Sequence, residues 1–222
     1  WITPVGVFLL GNTFSAGDES NVMIGGDGKI VFNSGVALEG QVAIDDFKWF
    51  DQGDTASYPS RYAFTLSAMG PLGSTGSWRA LYTQVSTYAF RTFESEQDYI
   101  NIGVGLGRQF VDGDQLTFTT AWPVRENWVV TPELTFLRQG AAQITDSFPP
   151  SLDGLDGFLS GVVAKTARVA VGVRGQEGHL RVQGNIGVNQ TWNAEHIEGN
   201  TATTFVAQLW ATLRIGKKGA LR

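Results

Sequence analysis

Cysteine is absent from this 222-residue chain, and histidine occurs only twice. The chain therefore has no disulfide, no thiolate nucleophile and no cysteine-based metal site. Charge is also scarce: charged residues make up 17% of the chain, against roughly 25% in ordinary soluble domains. The net charge of -5 argues against a nucleic-acid binder, because neutralising phosphates requires a basic surface. No apolar run is long enough for a membrane-spanning helix.

What the sequence has instead is alternation of apolar and polar residues with a period of two, which is typical of strands with two unlike faces. In the clearest segment, Leu180, Val182 and Ile186 alternate with Arg181, Gln183 and Asn185. The same pattern recurs along the chain. It predicts ten strands, at about 3–11, 22–32, 36–48, 60–70, 77–88, 114–124, 128–139, 162–174, 179–192 and 204–216.

The connections between these strands alternate strictly between short and long. In an antiparallel meander, every second connection lies at the same end, so all the long loops emerge together. Outer-membrane barrels show this asymmetry, and strands of about 9–11 residues suit a tilted membrane crossing. The pattern predicts an all-β, antiparallel up-and-down transmembrane β-barrel forming one domain over 1–222. It either closes alone or is the C-terminal portion of a larger barrel.

One further alternating segment, 101–110, does not fit this scheme as a spanning strand. Counting it would place two short turns in succession and break the alternation of loop lengths. We interpret it as a hairpin within a long loop or as an extension of a strand.

Aromatic residues cluster near the ends of the predicted strands, where amphipathic rings form the interfacial girdles of membrane barrels. Trp210, in the middle of a strand and on its polar side, is an exception. A soluble all-β domain with its apolar residues turned inward remains the alternative. The girdle candidates are Phe47, Trp49, Tyr62, Trp78, Tyr88, Trp122, Trp128, Trp192 and Phe205.

The polar sides of the strands would then line the barrel interior. They form either a hydrogen-bonded network that fills a narrow lumen or a polar track that contacts sugar or solute. The lumen-facing candidates are Glu39, Gln41, Asp45, Arg168, Arg174 and Arg181.

We expect no catalytic site, no metal site and no cofactor. The two histidines, His179 and His196, fall at opposite ends of the predicted barrel, so they cannot share one nucleophilic site. Asp153 and Asp156 have a spacing that could hold Ca²⁺, but they lack an EF-hand pattern. A solvated acidic loop is the simpler interpretation.

Several segments resemble the barrel region of the capsule-assembly (Wzi-type) outer-membrane protein family. They are 21–27, 38–47, 82–88, 114–138 and 193–216. The resemblance implies a longer barrel that holds capsular polysaccharide at the cell surface without turnover, and it identifies no sugar-contacting residues.

We therefore expect a non-enzymatic protein of the bacterial outer membrane that binds or anchors surface polysaccharide, or another partner, through its long extracellular loops. The expected partners are outer-membrane lipid, surface polysaccharide and other envelope proteins, with no nucleic acid. The alternatives are a solute pore or channel, and a structural barrel subunit of a larger outer-membrane assembly.

Overall fold

Twelve strands account for the regular structure in the part of the chain that this computed structural model describes, residues 6–11, 22–46, 60–91, 100–101, 104–105, 111–150 and 155–213. In chain order they are β1 (Gly6–Gly11), β2 (Val22–Val31), β3 (Ala37–Asp46), β4 (Arg61–Leu72), β5 (Gly76–Val85), β6 (Ile100–Asn101), β7 (Val104–Gly105), β8 (Gly113–Arg125), β9 (Trp128–Gln139), β10 (Ala164–Glu177), β11 (Leu180–Trp192) and β12 (Thr201–Leu213).

Ten of these strands form one antiparallel sheet in which each strand pairs with the next along the chain. The other two, β6 and β7, pair only with each other within a long connection. The ten predicted strands and their up-and-down order are confirmed, and the described residues of segment 101–110, which are 101, 104 and 105, belong to the separate β6–β7 pair. Within the described ranges no pairing joins β1 to β12, so the sheet is open along these two edges.

Four tight turns join strands at one end of the sheet, and the longer connections lie at the other. In the turn after β2, the Gly35 N–H donates to the Phe32 carbonyl at 3.0 Å, and Gly35 has a φ of +81°. Glycine adopts this left-handed conformation without the cost that a Cβ would add. Hence a short Asn-Ser-Gly segment is enough to reverse the chain.

Three strand boundaries with described residues on both sides differ from the prediction by three residues: the end of β5, described below, the end of β10 and the start of β12. β10 continues to Glu177, because Glu177 still pairs with Leu180 across a turn of only two residues. β12 begins at Thr201, three residues earlier than expected, because Thr201 pairs with Trp192 at the loop end of β11. The polar run of threonines at 201–204 conceals this extension from the alternation pattern.

The two faces of the sheet differ sharply in chemistry. One face, which we call the apolar face, carries Val169, Val171, Ile186 and Val188, whose exposed fractions are 61, 44, 51 and 43%. The opposite, polar face carries Arg168 and the strand residues paired on its side. The predicted exposure of the apolar residues is confirmed, since they do not fill a dry core.

The polar face is the more enclosed of the two. Small side chains on it, Ser67, Thr83 and Ala170, are only 6, 4 and 3% exposed. Residues on the concave side of a curved sheet are crowded in this way, whereas those on the convex side spread apart. The sheet therefore curves around its polar face.

Most of the described girdle candidates occupy their predicted places. Tyr62, Trp78, Trp122, Trp128 and Trp192 all lie on the apolar face near strand ends. Phe205 is also on this face, four residues into β12, and Trp210 is on the polar face as expected. Phe47 and Trp49 lie outside the described residues.

Tyr88 does not belong to the girdle, and the prediction for it is wrong. It follows the end of β5 and is 8% exposed, packed among the long connections. Its ring makes an edge contact with Phe148. The strand ends at Val85, three residues before the end that alternation predicts.

The only cluster of buried hydrophobic residues in the described part of the chain lies at the long-loop end. Val85, Ala89, Val111 and Ile144 form it, with Phe90 packed against them. It joins the ends of β5 and β8 to the connections that follow β5 and β9, and we call it the loop core. None of the described residues belongs to a helix that is long and apolar enough to cross a membrane.

Candidate functional site

Two of the predicted lumen residues, Glu39 and Gln41, lie on the polar face of β3. They line a recess of about 310 Å³ together with Asp27, Thr65 and Arg79. The Glu39 carboxylate forms a salt bridge with Lys29 on β2. The Arg79 Nε–H donates to Ser67 Oγ at 3.2 Å. Charges of both signs thus meet across neighbouring strands of the polar face.

Arg168 is the centre of a second network on the polar face, built from three strands. Its Nε–H donates to Glu133 Oε1 at 3.1 Å, and its terminal nitrogens donate to Asn185 Oδ1 at 2.8 Å and Asn189 Oδ1 at 3.2 Å. A partly buried guanidinium is stabilised when its donors are satisfied in this way. Arg168 thus belongs to a hydrogen-bonded network on the polar face, and its predicted place in a barrel lumen stays a prediction.

Arg174 and Arg181 lie on the same face but closer to the tight turns. They line a recess of about 730 Å³ with Glu126, Gln176 and Val129. Arg181 is exposed, unlike Arg168 further up the sheet. The structure therefore separates the predicted arginines into one partly buried network and one open recess at the turn end.

Asp45 is the sixth candidate. Its backbone lies in β3, two residues beyond Ala43 and beside an irregularity in pairing with β4 between Ile44 and Asp46. Its side chain lies outside what the structure describes, so its predicted place in the lumen stays a prediction.

Threonine pairs reinforce the polar face between strands. Their hydroxyl oxygens lie within hydrogen-bond distance across three hairpins, and such cross-strand pairs stabilise neighbouring strands. The three pairs are Thr65–Thr83 at 3.1 Å, Thr117–Thr135 at 3.1 Å and Thr166–Thr191 at 2.9 Å.

A buried carboxylate, that of Asp112, organises the loop core. Asp112 is 0% exposed. It accepts hydrogen bonds from the Thr87 hydroxyl at 2.6 Å, the Ala142 N–H at 3.2 Å and both the N–H and the hydroxyl of Ser160. Its own carbonyl accepts from the Gly140 N–H at 2.7 Å. One side chain thus ties together the two connections that follow β5 and β9.

Arg91 is the second buried charge of the loop core, at 2% exposed. Its terminal nitrogens donate to the carbonyls of Asp146 at 2.7 Å and Ser147 at 2.9 Å, and its guanidinium lies over the Tyr88 ring at 5.7 Å. Arg61 at the start of β4 donates to the Arg91 carbonyl at 3.0 Å. These contacts attach the connection after β9 to the sheet.

The same surroundings change the acidity of Tyr88. Burial raises the pKa of this phenol, because the phenolate would lose its hydration. The nearby Asp112 and Asp156 carboxylates raise the pKa further, whereas Arg91 acts in the opposite direction. Tyr88 is therefore held in its neutral form within the loop core.

A polar cluster lies on the apolar face just below the long loops. The Tyr82 hydroxyl donates to Asp114 Oδ2 at 2.9 Å, and the Arg138 Nε–H donates to Asp114 Oδ1 at 2.9 Å. Gln84 bridges Tyr82 to Tyr62. Sequence reasoning missed this cluster, although Gln84 and Arg138 both pair directly with Asp114 near the same end of the sheet.

The two histidines lie at opposite ends of the sheet, as their places in the sequence predict. His196 sits in a single 3-10 turn with its Nδ1 2.8 Å from the Val162 carbonyl, while His179 is exposed at a tight turn. The described residues contain no cluster of three His, Asp or Glu side chains that could hold a metal ion. Asp153, one of the two acidic residues considered for Ca²⁺, lies outside them.

Comparison with known proteins gives this chain no relative. No protein-family model matches it, and no match was found among curated proteins or solved structures.

Proposed function

We propose that this protein is an outer-membrane β-barrel whose strands cross the bilayer and carry a packed set of loops on its outer side. The distribution of charge on the apolar face supports this most directly. All its described charged side chains lie near the ends of the strands: Asp114, Arg138 and Lys165 near the long loops and Glu177 near the turns. A membrane-facing surface requires such a separation, because a charge near the bilayer midplane is costly.

The height of the uncharged band also suits a bilayer. On the apolar face of β9 it runs from Trp128 at the turn end to Arg138 at the loop end. Ten residues of strand at about 3.4 Å each, tilted by about 40°, span about 25 Å, the usual height of the apolar band of such barrels. Tryptophans at the turn end then mark the inner interface.

The loop core gives the proposed barrel a fixed outer surface. Asp112 and Arg91 hold the two connections after β5 and β9 in one arrangement, so a ligand would meet a pre-organised platform. We propose surface polysaccharide as the ligand class, on the resemblance to capsule-assembly barrels, and binding without turnover as the activity. The charge networks of the polar face favour this role over that of an open pore, because in a closed barrel they would lie across the lumen.

A solute pore is the second candidate, favoured by the open recess around Arg174 and Arg181. Conductance of the purified protein in planar bilayers separates the two: a steady open current overturns the binding-only proposal.

The membrane proposal is tested by refolding the protein into detergent micelles and lipid vesicles. We expect co-flotation with vesicles and a band that migrates differently on a gel before and after boiling, since a closed barrel resists unfolding at room temperature. A monomeric protein that stays soluble without detergent contradicts the proposal. Binding is then measured on an array of surface polysaccharides, with the Asp112→Ala variant as the control that loosens only the platform.

A further inference from the structure

The two edge strands leave the sheet open in the described structure. β12 pairs with β11 along its whole length, and none of the described residues pairs with its other edge. β1 is likewise paired only with β2. Unpaired backbone groups cost several kcal/mol each in hydrocarbon, so both edges need partners if the strands cross a bilayer. This driving force for pairing rests on the proposed membrane location.

The pairing of successive strands shows how far the sheet is offset along its strands. A row of direct partners can be followed from strand to strand across the whole polar face. It runs through Gly6, Asp27, Gln41, Thr65, Thr83, Gln115, Leu137, Thr166, Thr191 and Ala202.

This row begins at the first residue of β1 and ends at the second residue of β12. Gly6 lies towards the turn end of the sheet, whereas Ala202 lies beside the long loops. The two edges are therefore displaced along the strand direction, as closure into a tilted barrel requires.

The size of the displacement can be compared with that of a closed barrel. Ten strands about 4.8 Å apart, with a rise of about 3.4 Å per residue and a tilt of about 40°, close with a shear of about 12 residues. In a closed barrel this row, followed from Gly6 through Ala202 of β12 and back to β1, returns about 12 residues further along the chain. Leu10 then lies opposite Trp210, and Val7 lies opposite Leu213. A shift of the same size in the other direction falls before the first residue of β12, so closure has a single direction.

Chemistry at the two edges agrees with this register. Trp210 is a large apolar side chain on the polar face, and it is 53% exposed. The sequence of β1 is apolar at both sets of alternating positions, and Phe8 and Leu10 have the same register parity as Gly6, from which the polar-face row starts.

We propose that the ten strands close on themselves, with β1 antiparallel to the C-terminal half of β12 and Leu10 opposite Trp210. The partner of the β12 edge is thus this chain's own first strand, and the seam of the barrel carries an apolar contact inside an otherwise polar lumen. The juxtaposition of Leu10 with Trp210 explains why a tryptophan occupies that face.

Because the chain contains no cysteine, only the introduced cysteines can form a disulfide in this test. The variant carrying Leu10→Cys and Trp210→Cys is oxidised in vesicles, and the link is identified by mass spectrometry after proteolysis. We expect a disulfide within one chain. The control variant pairs Leu10→Cys with Thr204→Cys, six residues away on the same face of β12, and should remain unlinked. A second pair, Leu9→Cys with Ala211→Cys, leaves Trp210 intact.

The heat-modifiable gel band of the same variants reports membrane insertion. The disulfide links therefore test closure separately. A link within one chain at Trp210 or Ala211 supports closure. Links only between chains show that a second copy covers the edge and overturn it. Folded, membrane-inserted variants that form no link also overturn it, because the edges then meet other strands.

Discussion

The sheet and the loop core treat apolar and charged residues in opposite ways. In the sheet, large apolar side chains such as Val169 and Ile186 are exposed, and charged ones such as Arg168 face the enclosed polar side. In the loop core, Val85 and Val111 are buried in the ordinary manner around the charges of Asp112 and Arg91. One chain thus exposes apolar residues in its strands, as the proposed membrane-facing surface requires, and buries them in its loop core.

The largest expected effect comes from placing a charge on the apolar face. Leu209→Arg should destabilise the protein in vesicles by about 2–4 kcal/mol, the cost of an arginine near the bilayer midplane. The measurement is the free energy of unfolding from a urea titration. The neighbouring Gln208→Arg is the matched control, because it lies on the polar face of the same strand. Equal losses in the two variants would show that lipid does not cover the apolar face.

The second largest effect is expected in the loop core. Asp112→Ala leaves the Thr87 hydroxyl and the Ala142 and Ser160 N–H groups without their acceptor, at a cost of roughly 2–3 kcal/mol. Hydrogen exchange should speed up in 86–91 and 140–148, while the heat-modifiable band persists.

Asp146→Ala is the control for this experiment, since the Asp146 side chain is exposed and bonds to the local Gln143 N–H at 2.7 Å. If Asp112→Ala also abolished the heat-modifiable band, the loop core and the strands would be one cooperative unit, and the contrast between the two regions would not extend to their stability.

A smaller effect is expected within the polar face. Arg168→Met removes the partner of a partly buried Glu133 and should cost about 1 kcal/mol. The exposed Arg181→Met should cost less than about 0.5 kcal/mol, as exposed charges usually do. Urea titration of both variants measures the difference. The reverse order would mean that the recess at the turn end, and not the Arg168 network, stabilises the interior.

The main features that the sequence could predict lie in the sheet, and the main ones that it could not predict lie in the loop core. Period-two alternation is local, so it located all ten strands of the sheet and the apolar face from residues such as Val182, Ile186 and Val188. It also placed Arg168 on the polar face. The loop core depends on contacts between distant connections, which no local pattern encodes.

Asp112 illustrates this limit. In the sequence it belongs to Val111-Asp-Gly-Asp114, which resembles a hairpin turn. In the structure it has a φ of +57° and accepts bonds from residues 25 to 48 positions away. An Asp-Gly pair next to an apolar valine marks a sharp bend, but nothing in its spacing names Thr87 or Ser160 as partners.

The smallest expected effect concerns pH. Since burial raises the pKa of Tyr88 above its ordinary value of 10.0, the neutral phenol contributes stability that is present below this value. That contribution is lost as the pH rises through the raised pKa. Tyr88→Phe should therefore make hydrogen exchange of the loop core, corrected for its intrinsic pH dependence, less sensitive to alkaline pH. An unchanged pH profile would show that Tyr88 ionises without disturbing the core.

The most direct test of a lipid-facing apolar surface is a spin-label scan along β11 in a reconstituted bilayer. Single cysteines are introduced from Val182 to Asn189, and the accessibility of each label to oxygen and to a water-soluble nickel complex is measured. We predict a period of two, with oxygen favoured at Val182, Ile186 and Val188. Preferential access of the nickel complex to these positions would contradict a lipid-facing surface.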